Sequence, residues 1–466
     1  MKSNAILLIL SVLVFAGGCG KNNGGSNTGN NPGTGNDGPP PAGYKIGWQS
    51  VLGGSDNDFS NTLIATKDGG YLLAGGTYSV NSGDVRTNLG NGDIWVIKLA
   101  ASGDTVWTKT FGGHGTDVAT SAIATSDGGY IVAGYTNSID GFTAVSHGGY
   151  DGWVMKLSSK GDVIWETTLG GTFDDKAFCL TASPDGGCVF GGVTYSNDGN
   201  VSGLHAAPNT TADIWAAKVD GSGNVVWSKA LGGAYEEAAY AITTAADGGY
   251  ALTGYTTSID GDMTNAGHAG ASDVMVMKLT GSGSVTWAKA FGGDKYESAG
   301  AICTTRDGGF VVAGYTGSSS IGDVGKNNGM YDGWLLKVKA NGDTAWTRVL
   351  GGAANDGLTS VITTTYGGGG YMLAGITSSS QTGDVPKIHG GSDLWVVQLD
   401  SARGIISDKV YGGSQGEMVN NNGATIIHGS DGGYVVAGVS NSNDGDLQGL
   451  VRPGRLYDNV WILKMQ

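Results

Sequence analysis

The chain has 466 residues, a length that leaves one to three domains open, and its 87 glycines against only 14% charged residues suit many short strands and tight turns. Its 12 tryptophans and 19 tyrosines exclude a merely disordered, low-complexity polymer. A formal net charge of -15 with no clustered Lys or Arg excludes a nucleic-acid partner, because holding a phosphate backbone requires cations that release its counterions.

The chain opens with Met1-Lys2, the apolar run AILLILSVLVF from Ala5 to Phe15, and AGGC ending at Cys19. A charged start, an apolar run and small residues make a secretory signal. The small residues before Cys19 resemble the lipobox of bacterial lipoproteins, which implies that Cys19 becomes a lipidated N-terminus. Such a terminus carries more than one acyl chain, the condition for stable anchoring without a spanning segment. Residues 1–19 are therefore expected to be a lipoprotein signal peptide. The Gly/Asn/Pro tract of residues 20–43 cannot bury a core and is expected to be a flexible tether for a folded unit over residues 44–466. The expected address is the bacterial cell envelope, on the outer membrane or the cell surface.

From there a motif recurs seven times, as in DGGYIVAGYTNS from Asp127 to Ser138. Its aspartate is Asp68, Asp127, Asp185, Asp247, Asp307 and Asp431, with Gly368 in that place in the sixth copy, at intervals of 59, 58, 62, 60, 61 and 63 residues. That period is too long for a β-helix coil and suits a four-stranded propeller blade. In the second copy TSAIAT passes through SDGG into YIVAGYT, a hairpin signal. A long variable segment then precedes DGWVMKL, and the turn SSKGD leads to VIWETTL. In DGWVMKL the side chains alternate between two apolar faces, as in a strand covered on both sides. A copy of the fourth run, IGWQSVLGG around Trp48, precedes the first complete repeat, and the last repeat stops at Lys464 without one. These features predict an all-β, seven-bladed β-propeller of four-stranded blades, with the ring closed by the N-terminal strand joining the last blade. An open seven-unit solenoid would leave its edges unprotected. The glycine at 75, 134, 192, 254, 314, 375 and 438 marks a close backbone approach near the crowded axis.

The string LGGSDNDFSNTLIATKDGGYLLAGGTYS, with DGWVMKL and GDVIW, resembles the bacterial seven-bladed propeller repeats called SBBP repeats and is similar to delta-60 repeats, over residues 44–466. The resemblance implies an extracytoplasmic propeller and brings no catalytic residues. GNVVWSKALGG, Gly223 to Gly233, is similar to quinoprotein-type propeller strands and to part of the bulb-type lectin repeat. The lectin pattern Q-x-D-x-N-x-V-x-Y is absent, and the period departs from both families.

Four residues beyond the second glycine of each GG stands an acid: Asp58, Asp117, Asp175, Glu237, Glu297, Asp356 and Glu417. Seven acids can ring a cation, or each can accept backbone N–H groups in the loop entering its strand; a repeated position favours the structural role. The once-per-blade aspartates before the strand tryptophans, and lysines such as Lys98 and Lys156, are expected to join blades. The variable loops carry Asp260 and Asp262, and Asp444 and Asp446, oxygen-rich turns of the kind that can hold Ca²⁺. They lack the EF-hand spacing, so solvent-facing Asp-Gly turns are favoured and no cofactor is predicted. His147, His205, His268 and His389 lie in the same loops, and convergence on a metal would need two or three of them together. Cys179 and Cys188 fall on one predicted hairpin, close enough to pair, while Cys303 lies apart. No nucleophile elbow, zinc-protease helix or phosphate loop is present. The leading expectation is a non-catalytic, monomeric envelope propeller that binds a protein partner or a glycan through its variable loop face. Two others stand beside it: an envelope assembly scaffold, and an enzyme (lyase, glycosidase or quinoprotein) using the central channel.

Overall fold

The computed structural model describes residues 44–142, 146–267, 270–364, 369–417, 425–450 and 457–466. The segments expected to be the signal peptide with Cys19 and the tether, together with His268 and Gly368, lie outside the described residues. Seven four-stranded antiparallel sheets form the blades of one propeller. Blade 1 runs from its innermost strand outward as Asp58–Ala65, Tyr71–Thr77, Asp93–Leu99 and Thr105–Phe111. The same plan holds for blades 2 to 6, at residues 117–169, 175–231, 237–291, 297–350 and 356–411. In blade 7 the strands Thr425–His428, Tyr434–Ser440 and Asn459–Met465 are completed by the N-terminal strand Ile46–Leu52, which pairs antiparallel with the last strand of the chain. That closure makes both chain ends part of one sheet, so every blade has four strands and the ring keeps only the short edges at its axis and rim.

The first strands of successive blades touch one another all the way round, including blade 7 with blade 1, and so wall the central channel. Third strands are buried along their whole length: Trp95, Trp153, Trp215, Trp334, Trp395 and Trp461 fill the space between sheets, and Met275 stands in that place in blade 4. Each innermost strand of blades 1 to 6 carries one extra residue against the second strand, a β-bulge between its third and fifth positions. The repeated glycine of the second strand sits opposite that bulge. A Cβ on Gly134 would lie 1.8 Å from the Val118 carbonyl oxygen, and on Gly254 1.9 Å from that of Ala238. The bulge presses the inner strand onto its neighbour, and a side chain at this point has no room.

The outer rim repeats a second contact. The fourth-strand tryptophan of each blade covers the glycine of the next blade's outer turn: Trp48 on Gly103, Trp107 on Gly161, Trp165 on Gly223, Trp227 on Gly283 and Trp287 on Gly342. These glycines have φ between +75° and +91°, a conformation that favours glycine. In blade 6 Arg403 holds that place at φ +71° and lays its guanidinium 5.3 Å from the Trp346 ring centroid.

On the hairpin face, the strand lysines pair within their own blade and not between blades as expected. Lys156 lies 2.7 Å from Asp127, Lys218 2.8 Å from Asp185, and Lys278 2.8 Å from Asp247. The lysine stem runs up the buried third strand, and its head emerges beside the turn aspartate of the same sheet. None of Cys179, Cys188 and Cys303 is in a disulfide; Cys179 and Cys188 pack into separate interfaces between blades. Among the described residues no helix is long and apolar enough to cross a membrane.

Gly134→Ala is expected to cost about 3 kcal/mol, as overpacking against an immovable backbone oxygen does. Urea unfolding measures it, and a loss below about 1 kcal/mol would show that the bulge can shift to admit a methyl group.

Candidate functional site

Six of the seven predicted acids open an innermost strand, Glu417 forms a single bridge to Ser440 ahead of the blade 7 strand Thr425–His428, and all seven are fully buried or nearly so. Each accepts the N–H of the second glycine of its GG loop, at 2.5 to 3.1 Å. Each also accepts the hydroxyl that ends the second strand, from Thr77, Thr136, Thr194, Thr256, Thr316, Thr377 or Ser440. The backbone N–H of the same acid donates across to the previous blade, as from Asp117 to the Gly92 carbonyl at 2.8 Å and from Asp58 to that of Asp458 at 2.9 Å.

The candidate calcium turns lie against these loops. Before Glu237, successive N–H groups donate as follows: Gly232 to Asp262 at 3.2 Å, Gly233 to Glu237, Ala234 to Asp260 at 2.8 Å, and Tyr235 to Ser258 at 2.9 Å. Before Glu417, Gly412 donates to Asp446 at 3.0 Å and Ser414 to Asp444 at 2.7 Å. Asp260, Asp262, Asp444 and Asp446 therefore satisfy turn N–H groups that would otherwise go without partners. His147 and His389 donate their backbone N–H to Asp151 and Asp393, and His205 reaches Asp213 through Nδ1 at 2.7 Å, with Nε2 3.8 Å from Asp262. They stay in separate blades. Among the described residues no group of three or more His, Cys, Asp or Glu is placed to hold a metal.

A second buried acid opens the third strand of blades 1 to 6, and it meets the inner acid of the next blade. A Cβ on Gly112 would lie 2.6 Å from Asp93 Oδ1 and 2.5 Å from Asp117 Oδ2; on Gly412 it would lie 2.3 Å from Asp393 Oδ1 and 2.4 Å from Glu417 Oε2. The first glycine of each GG thus leaves the space in which two carboxyl groups converge. Six junctions hold such a pair: Asp93/Asp117, Asp151/Asp175, Asp213/Glu237, Asp273/Glu297, Asp332/Asp356 and Asp393/Glu417. At the seventh, where the chain ends close the ring, Asn459 faces Asp58. Two anions in one dry space are costly, so a carboxyl group in such a setting holds its proton to a higher pH than a lone one does. Burial, with repulsion from Asp117, pushes Asp93 up to about 6, and burial with the Asp356 charge does the same to Asp332. Burial and a hydrogen bond to Asp393 raise Glu417 to about 7.

The seven-fold pattern breaks at the channel mouth. The bulged residue of the innermost strand is Asn61, Thr120, Phe178, Tyr240, Gly300 and Thr359 in blades 1 to 6. Asn61 and Thr120 spend their polar groups on carbonyls of the next blade's innermost strand, Ala119 at 2.7 Å and Ala177 at 2.9 Å. Phe178 and Tyr240 instead meet ring to ring at 5.7 Å, and Tyr240 packs on Tyr255 at 5.9 Å. Tyr195, Tyr315 and the exposed Glu236 lie close enough to act electrostatically on both Tyr240 and Tyr255. Burial raises the Tyr135 and Tyr315 hydroxyls to about 12, so they stay protonated donors. Tyr135 and Tyr315 are braced edge-on by Tyr150 and Tyr331 at 5.4 and 5.5 Å, and Lys176 lies 4.2 Å over the Tyr150 ring. Tyr150 and Tyr331 thus pack against other rings, and Tyr457 is exposed. Comparing bulge positions between repeats is the signal that would have exposed this sector.

No family model matches the chain. The regulatory protein FlaEY of Caulobacter vibrioides is 22% identical over 341 residues, 67% of this chain and 35% of that protein, so the chain spans about a third of that relative's length. Among solved structures the chain is similar to a protein of unknown function from Dyadobacter fermentans, at 11% identity over 91% of this chain and 99% of that one, with a TM-score of 0.46. It is also similar to the periplasmic gluconolactonase of Pseudomonas aeruginosa, at 13% identity over 78% and 95% with a TM-score of 0.41, and to a europium-containing methanol dehydrogenase, at 12% over 91% and 93% with a TM-score of 0.41. At these identities none of the likenesses bears on activity.

The carboxyl pairs set a pH dependence. For Asp93, Asp332 and Glu417 the folded-state values lie above those of the unfolded chain, so the folded protein holds extra protons; the stability this gives is complete below about pH 4 and lost as pH rises through 6 to 7. In the other direction, Lys337 and Thr305 hold Asp307 down to about 2, and that contribution is lost as pH falls below 4. The melting temperature is therefore expected to peak near pH 4 to 5 and to decline toward pH 8. Asp93→Asn is expected to stabilise the fold at pH 8 by about 1–2 kcal/mol and to change little at pH 4.5, as thermal melts at the two pH values will read.

Proposed function

We propose that the chain is a non-catalytic, lipid-anchored propeller of the SBBP-repeat type at the bacterial cell envelope, and that it binds a glycan at the mouth of its central channel. The supporting observation is the aromatic sector of blades 3 to 5: Tyr195, Tyr255 and Tyr315 are half-buried, with Phe178 packed on Tyr240, Tyr240 on Tyr255, and the exposed Glu236 near Tyr255. Rigid half-exposed tyrosines offer a sugar both an apolar face and a hydroxyl, at low entropic cost. The seven repeated acids are occupied with backbone and hydroxyl groups, so the residues that differ between blades are the ones left to choose a ligand. A working acid and base must play unequal roles, and the pairs at the blade junctions are all alike, which favours binding over catalysis. Attachment follows from the lipobox at Cys19, with the Gly/Asn tether holding the loop face off the lipid.

A glycan array probed with the soluble Tyr44–Gln466 fragment tests the binding. A discrete set of glycans is expected to be retained, and the double variant Tyr255→Ala, Tyr315→Ala to weaken retention at least tenfold, the equivalent of about 1.4 kcal/mol, at an unchanged melting temperature. An empty array, or undiminished retention in the double variant, would refute the reading. Cys19→Ala is expected to release the protein from membranes into the soluble fraction, and continued membrane retention would contradict the lipid anchor.

A further inference from the structure

One blade departs from the loop pattern as well. Two residues after Ser82, Asp198, Asp260, Ile321, Thr382 and Asp444 stand Asp84, Asn200, Asp262, Asp323, Asp384 and Asp446, and in blade 2 the same place, two after Asp140, is held by Phe142. Five of the six polar residues accept the N–H of the first glycine of the GG turn, at 3.0 to 3.4 Å. The backbone of Phe142 follows their course, its N–H donating to the Gly112 carbonyl at 3.3 Å as that of Asp84 does to Gly53 at 3.0 Å. Only the side chain has changed. Its ring is 46% exposed and stands edge-on to Phe111 at 5.6 Å.

A cavity of about 350 Å³ opens at this point, on the outer flank between blades 1 and 2. This is within the range of small-ligand sites. Phe111 and Phe142 supply its apolar wall. Facing them are Arg86, Lys109 and the hydroxyls of Thr87 and Thr110, which lie 2.6 Å apart. Lys109 is held at 2.7 Å by Asp162, whereas no carboxylate among the described residues pairs with Arg86, which is exposed. A protein of net charge -15 that keeps an unpaired guanidinium beside an exposed aromatic ring has a local preference opposite to its overall field.

We propose that this cavity binds a uronic-acid unit, a six-membered sugar ring bearing a carboxylate. The ring's apolar face lies on Phe142, the carboxylate takes the two parallel N–H groups of Arg86, and the ring hydroxyls meet Thr87, Thr110 and Lys109. Neutral sugars lose the guanidinium bond, and small inorganic anions lose the ring contact. The site is separate from the channel mouth and stands on its own observations.

Ligand-observed NMR titration of the full chain in detergent, with glucuronic acid, glucose and inorganic phosphate as probes, tests the proposal. Glucuronic acid is expected to bind saturably and at least tenfold more tightly than glucose or phosphate. Arg86→Ala should reduce it to the level of glucose. Phe142→Asp restores the carboxylate of the other blades and should abolish binding while the melting temperature holds or rises, which separates loss of the site from loss of the fold. Equal binding of glucuronic acid and glucose, equal binding of phosphate, or indifference to both substitutions would each overturn the proposal. The Tyr255→Ala, Tyr315→Ala variant should titrate with glucuronic acid as the parent does, so the fates of the two sites can be told apart.

Discussion

The ring depends on one buried carboxyl group per blade, which in blades 1 to 6 opens the innermost strand. Its two oxygens bind the GG loop behind it and the hydroxyl that ends the neighbouring strand, and its own N–H reaches back to the previous blade. A single residue therefore fixes the entry of a strand, the exit of the next strand and the spacing between sheets. Charge-assisted bonds of this kind are strong in a dry setting, but an unaccompanied anion there is expensive. At three junctions the second acid meets that cost in part by holding one member of the pair, Asp93, Asp332 or Glu417, protonated to a higher pH. Glycine at the first position of GG follows from the same geometry, because both carboxyl groups occupy the volume its side chain would need.

Around that inner constraint the outer contacts are arranged consistently. Tryptophan on glycine links each fourth strand to the next blade, and where the sixth blade lacks the glycine, Arg403 covers Trp346 from above. Trp48 belongs to the N-terminal strand yet covers Gly103 of blade 1, so closing the seventh blade also completes the rim. At the same closure Asn459 replaces the aspartate, and this junction alone pairs an acid with an uncharged amide.

Much of this could be read from the chain. Period, turn chemistry and the orphan strand around Trp48 specify blade number and closure, because each rests on backbone geometry that repeats in sequence. The pairing of Asp93 with Asp117 could not be read, since it joins positions whose distance in space depends on the twist of two sheets. The lysines show the same limit: Lys156 is a repeated residue, but whether it reaches its own blade or the next depends on the direction of a side chain. The functional candidates were obscured for a different reason. Repeats draw attention to what recurs, whereas Tyr240 and Phe142 matter because they interrupt a series, and they emerge when each position is compared down the seven blades.

Symmetry and function thus occupy different residues: shared positions hold the ring, and departures from them form the aromatic mouth and the flank cavity. The protonated junction is the centre of this account, and a carboxyl-carbon NMR titration of the folded protein tests it most directly. The account predicts buried carboxyl groups, Asp93, Asp332 and Glu417 among them, that titrate at about 6 to 7. A folded protein in which every Asp and Glu titrates near the ordinary value of about 4 would contradict it.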